Sequence, residues 1–180
     1  LSYIDALIKL GHSADAQAAF DLAKAKGTNG VAFDQLELRL AELTTNPLDP
    51  PSEQLQPITD LYIQGQFQQA LSHTTEMLER FPSSAFLHNI SGASNAGLMQ
   101  FDAAISSYKQ ALRINPNYVE VYNNMGIVLN DKGNPEDAIG SYKKALQIQP
   151  NFAEVHNGMG IALNNAGEPK AAIDSYQVAL

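Results

Sequence analysis

The sequence predicts an all-α fold in which antiparallel helix hairpins stack into an α-solenoid. The stretch "EVYNNMGIVLN", from Glu120 to Asn130, returns 34 residues later as "EVHNGMGIALN", from Glu154 to Asn164. Small, aromatic and aliphatic residues fall into columns with the same spacing of 34. Each repeat contains two apolar stripes at helical spacing, which indicates one helix hairpin per repeat.

The columns become visible when the chain is aligned on Pro82, Pro116 and Pro150. Glycine recurs at Gly92, Gly126 and Gly160, alanine at Ala70, Ala104, Ala138 and Ala172, tyrosine at Tyr108, Tyr142 and Tyr176, and leucine at Leu78, Leu112, Leu146 and Leu180. Repeats of this kind are typical of arrays in which each unit buries its apolar face against its neighbours.

The unit 119–152 shows how one hairpin is specified. Its first helix has a buried stripe at i, i+3, i+4 and i+7, formed by Tyr122, Met125, Gly126 and Leu129. Gly133 then suits a left-handed C-terminal cap, and Pro135 suits the first position of the second helix. Glycine costs about 1 kcal/mol relative to alanine inside a helix. We therefore expect Gly126 to face Ala138 across the hairpin, where a missing side chain lets the helices approach closely.

With these features the chain resembles the tetratricopeptide repeat family, in which antiparallel helix hairpins form a right-handed superhelix. The resemblance is clear over residues 85–180 and weaker over 51–84 and 1–27. It implies an array over 51–180 with units at 51–84, 85–118, 119–152 and 153–180, the last of them incomplete. In the weaker unit Ile58 replaces the glycine, Thr74 replaces the tyrosine, and Pro57 is expected to disturb the first helix.

Residues 1–50 are interpreted as degenerate helices of the same kind, followed by a proline-rich connection. Residues at the repeat spacing are Leu7, Gly11, Ala16, Phe20 and Ala23. Apolar residues from Phe33 to Leu43 predict one more helix, for which the sequence offers no obvious partner. "TTNPLDPPS", from Thr44 to Ser52, contains three prolines and predicts a connection or hinge.

Composition excludes several classes of function. The net charge is −8, with eleven Lys and Arg scattered among nineteen Asp and Glu, so nucleic acid and anionic membrane surfaces are not expected partners. There is no cysteine. His88 and His156 occupy the column of Tyr122 and are interpreted as packing residues. We expect no catalytic site, cofactor or metal within these residues.

The start of the chain, Leu1-Ser2-Tyr3, lacks an initiator methionine and a signal-peptide pattern, and no apolar run is long enough to span a membrane. We therefore expect a cytoplasmic piece of a longer polypeptide.

A second stripe on the first helices carries the candidate binding residues. It consists of Glu120, Asn123, Ile127 and Asn130 in one unit and Glu154, Asn157, Ile161 and Asn164 in the next. Asn89 holds the place of Asn123 in the preceding unit, so Asn89, Asn123 and Asn157 form an asparagine ladder. The resemblance implies that this ladder lines the concave groove of the superhelix. An amide matches the donors and acceptors of a peptide backbone, although these side chains also suit bonds to neighbouring backbone or water.

The predicted function is that of a non-catalytic scaffold for a protein or an extended peptide, polar or basic because the groove carries Glu120, Asp131 and Glu154 with only Lys132 nearby. The basic clamp for a terminal carboxylate, found in some family members, is not expected here. Two alternatives stay open. Similar arrays precede glycosyltransferase and sulfotransferase domains, so the chain is alternatively the substrate-recruiting arm of a larger enzyme. The apolar edge at Leu180 alternatively allows self-assembly into a homo-oligomer.

Overall fold

The computed structural model describes residues 4, 13–27, 30, 32–37, 40 and 49–179. The chain divides into two compact units, Leu1–Leu48 and Asp49–Leu180. Within the described residues all regular structure is helical, as the sequence predicts. None of these helices is long and apolar enough to cross a membrane.

The N-terminal unit contains helix α1, Ser13–Ala25, and a second helical segment at residues 32–37. Phe20 and Phe33 stack with ring centroids 4.2 Å apart, and Ile4, Leu36 and Leu40 complete the buried cluster. The predicted helix that begins near Phe33 therefore has a partner, which is α1. Leu7, Gly11, Leu43 and residues 44–48 of the predicted hinge lie outside the described residues.

The C-terminal unit consists of consecutive helices that pack in sequence order. They are α2 (Ser52–Ile63), α3 (Phe67–Arg80), α4 (Ala85–Gly97), α5 (Phe101–Ile114), α6 (Val119–Asp131), α7 (Pro135–Ile148), α8 (Ala153–Asn165) and α9 (Pro169–Ala179). Successive helices pair as hairpins, and the second helix of each hairpin also packs against the first helix of the next. This arrangement is an α-solenoid of helix hairpins, which confirms the predicted fold class.

The turns inside the hairpins require a residue in the left-handed region. Gly133, between α6 and α7, has φ +87°, and the Asn134 N–H donates to the Leu129 carbonyl at 2.9 Å to close the turn. The cap predicted at Gly133 and the helix start predicted at Pro135 are thus both confirmed. In the preceding hairpin the equivalent position is Met99, which adopts φ +59° with an exposed side chain.

Helix α2 continues through Pro57. The prediction that this proline disturbs the helix is therefore wrong as far as the length of the helix is concerned. A proline at this position removes the hydrogen bond to the carbonyl of Glu53. Both Glu53 and Pro57 are exposed, so water can satisfy that carbonyl.

Gly126 packs against the ring of Tyr142, and the atoms nearest to an added Cβ belong to this ring and not to Ala138. A Cβ built on Gly126 would lie 2.6 Å from Tyr142 Cε1. Gly92 and Gly160 stand in the same relation to Tyr108 and Tyr176, each at 2.5 Å. Ala138 is fully buried in the same core cluster as Tyr142. The missing side chains of these glycines therefore leave room for the tyrosine rings.

Gly140, in the middle of α7, has no such packing role. A Cβ added there would meet nothing within 4 Å, the residue is exposed, and its φ lies outside the left-handed region. We therefore expect Gly140→Ala to raise the free energy of unfolding by about 1 kcal/mol, because alanine is the better helix former. Urea denaturation followed by circular dichroism measures this change, and a loss of stability would show that the space beside Gly140 is not free.

Candidate functional site

The candidate site is a cleft between helices α6 and α8, with a volume of about 430 Å³. Its lining comprises Asn123, Ile127, Asn130 and Asp131 from α6, Tyr142 from α7, and Glu154, Asn157, Gly158 and Ile161 from α8. Six of the nine residues predicted from the sequence are in this set. We call this feature the α6–α8 cleft.

Two amides in the α6–α8 cleft are without hydrogen-bond partners among the described residues. Asn157 is exposed, and Asn123 is half-buried with its Oδ1 atom shielded from solvent and unpaired. A buried acceptor without a donor costs about 1–3 kcal/mol. The Asn123 acceptor is therefore uncompensated within the described residues, and its amide would have to rotate to present this atom to the cleft.

Two other asparagines of the predicted stripe are already paired. Asn89 Oδ1 accepts from Asn124 Nδ2 at 3.2 Å, and Asn130 Oδ1 accepts from Asn165 Nδ2 at 2.9 Å. These bonds join the first helices of successive hairpins, α4 to α6 and α6 to α8. For these two side chains, bonding to a neighbour replaces the free amide expected from the sequence.

Asn124 and Asn165 were not predicted as site residues. The signal that marks them is the adjacent pair of asparagines, Asn123-Asn124 and Asn164-Asn165. Neighbouring residues on a helix point about 100° apart, so one amide of a pair faces the adjacent helix while the other faces the surface.

Three predicted residues lie outside the α6–α8 cleft. Glu120 and Asn164 are exposed but do not line it, and Asn89 lies at the boundary between α4 and α6. Tyr118 is close to Asn89 and Glu120. Burial raises the pKa of the Tyr118 phenol, and the charge of Glu120 raises it further, while a hydrogen bond with Asn89 acts in the opposite direction.

The charges of the α6–α8 cleft are carboxylates. Asp131 and Glu154 line it, and no lysine or arginine is among its lining residues. Lys132, the basic residue nearest in sequence, forms an ion pair with Asp102. Burial raises the pKa of Tyr142 well above its usual value, with a further contribution from Asp131, so the phenol stays neutral. The cleft thus presents negative charge beside neutral amides.

His88 and His156 have structural partners. His88 Nε2 lies 3.1 Å from the Pro82 carbonyl oxygen, and His156 Nε2 lies 2.8 Å from that of Pro150. Because a carbonyl only accepts, each ring donates through Nε2. Among the described residues, no group of three or more His, Cys, Asp or Glu is placed to hold a metal ion.

Two family models match the central hairpins of the chain. One, described as TPR repeat, matches residues 100–133, and the other, described as Tetratricopeptide repeat, matches residues 119–152. Residues 100–152 therefore match tetratricopeptide repeats. The matched residues include all of α6, which supplies four lining residues of the α6–α8 cleft.

A curated relative and two solved structures resemble the tetratricopeptide array. The relative is the Arabidopsis thaliana protein named probable UDP-N-acetylglucosamine–peptide N-acetylglucosaminyltransferase SEC, which is 34% identical over 76 residues. The match covers 42% of this chain and only 8% of that protein's length.

A crystal structure of the MamA protein superposes with a TM-score of 0.66 at 20% identity, covering 98% of this chain and 90% of that one. The first TPR domain of Spaghetti (RPAP3), bound to the HSP90 peptide SRMEEVD, gives a TM-score of 0.60 at 20% identity and covers 62% of this chain and 89% of that one. Both likenesses concern the fold.

Proposed function

We propose that the α6–α8 cleft binds an extended, polar or basic segment of a partner protein. The observation that carries this proposal is that two unpaired amides, Asn123 and Asn157, share one cleft with two exposed isoleucines. The tetratricopeptide repeats support the broader role of a protein-interaction scaffold.

Backbone recognition follows from the amides. Each asparagine side chain offers an acceptor and two donors, which is the complement of a peptide group whatever side chains the partner carries. Each such bond contributes about 0.5–1.5 kcal/mol net. Ile127 and Ile161 are 44% and 42% exposed, and they offer apolar contacts to alternate side chains of the segment.

The preference for a basic segment follows from Asp131 and Glu154, which face the ligand without a compensating cation among the lining residues. The HSP90 peptide in the Spaghetti complex, SRMEEVD, carries three acidic residues. A peptide of that kind would meet like charge in the α6–α8 cleft, and like charges in close contact oppose binding.

Fluorescence anisotropy with labelled heptapeptides tests this proposal. We expect a lysine-containing peptide to bind more tightly than SRMEEVD. We also expect the double variant Asn123→Ala and Asn157→Ala to weaken that binding by roughly 5- to 150-fold, which corresponds to two hydrogen bonds of about 0.5–1.5 kcal/mol each.

The matched control is Asn151→Ala, the same substitution at an exposed position outside the α6–α8 cleft, which should leave affinity unchanged. Alanine favours the helix, so both cleft substitutions should leave melting temperature equal or higher. Tighter binding of the acidic peptide, together with full affinity in the double variant, would rule the proposal out.

A second candidate function is the substrate-recruiting arm of a larger enzyme. The stretch similar to the Arabidopsis thaliana glycosyltransferase supports it, although it covers a small part of that protein. The complete reading frame decides between the two, because a recruiting arm must be joined to a catalytic domain. A sulfotransferase as the attached enzyme stays a prediction.

Self-assembly also stays a prediction. Tyr176 is half-buried, whereas Tyr108 and Tyr142 in the same column are buried, and it lines a hollow of about 400 Å³ with Ala153 and Ala179. The full three-rung asparagine ladder, the unit boundaries 51–84, 85–118, 119–152 and 153–180, and the cytoplasmic location likewise stay predictions.

A further inference from the structure

A second depression lies on the other side of α6, between helices α5 and α7. Its volume is about 310 Å³, and its apolar floor is formed by Ile105, Met125 and Leu129 together with Tyr122. On α6, the residues Tyr122, Met125 and Leu129 point roughly 130° away from Asn123, Ile127 and Asn130, as follows from 100° of rotation per residue. We call this depression the Gly140 pocket, and it shares no lining residue with the α6–α8 cleft.

Gly140 forms part of the wall, and nothing in the packing of the protein explains a glycine there. Apart from the neighbouring backbone of α7, no atom of the described residues lies within 4 Å of the Cβ that another residue would add, and the backbone is not left-handed. Glycine at a helix interior lowers stability relative to alanine. The absence of a side chain at Gly140 therefore leaves space in the wall of the pocket.

The charges at the rim are the opposite of those in the α6–α8 cleft. Lys109 on α5 and Lys144 on α7 line the Gly140 pocket, and neither has an ion-pair partner in the part of the chain that the structure describes. Asp137 is the acidic lining residue, and it lies in the first turn of α7, where the helix dipole stabilises its carboxylate. Two lysines without an ion-pair partner among the described residues therefore line a pocket with an apolar floor, in a chain of net charge −8.

We infer that the Gly140 pocket is a second docking site, which takes one large apolar side chain of an acidic segment in a partner protein. The apolar side chain rests on Ile105, Met125 and Leu129, beside the missing side chain of Gly140. Carboxylates on either side of it pair with Lys109 and Lys144. A basic segment is the wrong partner here, because it would place its cations against these two lysines. The two sites select segments of opposite charge, and this inference does not depend on the function proposed for the α6–α8 cleft.

Selection of displayed random dodecapeptides on the wild-type protein tests the inference. We expect one enriched class to carry a large apolar residue flanked by Asp and Glu. The most enriched peptide of that class, labelled with fluorescein, should bind at least tenfold more weakly to Gly140→Leu. Because a Cβ at residue 140 meets no neighbour, this variant should fold, with an equal or higher melting temperature.

Two matched controls separate the pocket from general surface effects. Ser106→Leu places the same side chain at the equivalent exposed position of α5, outside the pocket, and should leave affinity unchanged. Lys109→Gln and Lys144→Gln should each weaken binding several-fold, whereas Lys143→Gln, next to the pocket, should not.

Several results would overturn the inference. They are the absence of an acidic class from the selection, equal affinity for wild type and Gly140→Leu, and loss of the same binding on Asn123→Ala with Asn157→Ala. Binding of phosphatidylserine vesicles that Gly140→Leu abolishes, without a peptide class, would assign the pocket to a membrane surface and also overturn it.

Discussion

Gly126→Ala is expected to lower the free energy of unfolding by about 1–3 kcal/mol, even though alanine is the better helix former. The added Cβ would lie 2.6 Å from Cε1 and 2.7 Å from Cζ of Tyr142, closer than packed atoms approach. The ring has little room to move, because it also lies against α8 at Gly158, where a Cβ would be 2.8 Å from Cζ. Either the ring or one of the two helices must move.

The matched control for Gly126→Ala is Gly160→Ala. This Cβ would approach Tyr176 Cε1 at 2.5 Å, but in this 180-residue chain Tyr176 is half-buried, and its ring has room to move. Urea denaturation should therefore show a smaller loss for Gly160→Ala than for Gly126→Ala, and a gain for Gly140→Ala. Equal losses at residues 126 and 160 would mean that confinement of the Tyr142 ring is not what makes the first substitution costly.

The fold was predictable because the columns of small and aromatic residues repeat every 34 positions. The columns do not show which residue of the second helix packs against a given residue of the first helix. Ala138 and Tyr142 lie one turn apart on α7, and the alanine and tyrosine columns both run through the last three hairpins. The spacing alone therefore allows either residue to be the partner of Gly126. The coordinates assign Tyr142. The effect of Pro57 on helix α2 was overestimated from the sequence for a related reason. That effect depends on whether the carbonyl that the proline leaves unpaired is exposed to water.

The candidate site was predictable in part. The second stripe identifies the surface of α6 and α8 that lines the cleft, including Asn123 and Asn157. It does not reveal that Asn89 and Asn130 are paired across the hairpins, because that pairing depends on Asn124 and Asn165 of the following first helices. The Gly140 pocket was not found from the sequence, since an exposed glycine in a variable column carries no periodic signal.

In the hairpin α2–α3 the larger of two core residues lies on the first helix and the smaller on the second, which is the reverse of the later hairpins. Ile58 stands at the position of the glycine column and Thr74 at that of the tyrosine column, 16 residues apart as Gly126 and Tyr142 are. Both are buried, and Ile58 packs with Leu87 and Ile90 of α4. The Thr74 hydroxyl is satisfied, because it donates to the Ala70 carbonyl at 2.6 Å. We infer that an aliphatic side chain from the first helix takes the place that a ring from the second helix takes in the later hairpins.

This exchange predicts strong coupling between the two positions. Thr74→Tyr alone should destabilise by about 1–3 kcal/mol through overpacking. Ile58→Gly alone should cost at least the ~2–5 kcal/mol of a large-to-small core substitution, because glycine also weakens the helix.

The double variant restores the glycine–tyrosine pair of the later hairpins. We expect it to be more stable than the sum of the single effects by about 2 kcal/mol, within the range measured for residues in contact.

The control cycle combines Ile58→Gly with Thr75→Tyr, the same substitution one residue further on at an exposed position. Denaturant titration of the four proteins in each cycle gives the two coupling energies. Because residue 75 points away from the hairpin core, its cycle should be additive. If the Ile58 and Thr74 effects were also additive, α2 and α3 would not share the register of the later hairpins, and the equivalence of the first hairpin with the other three would fail.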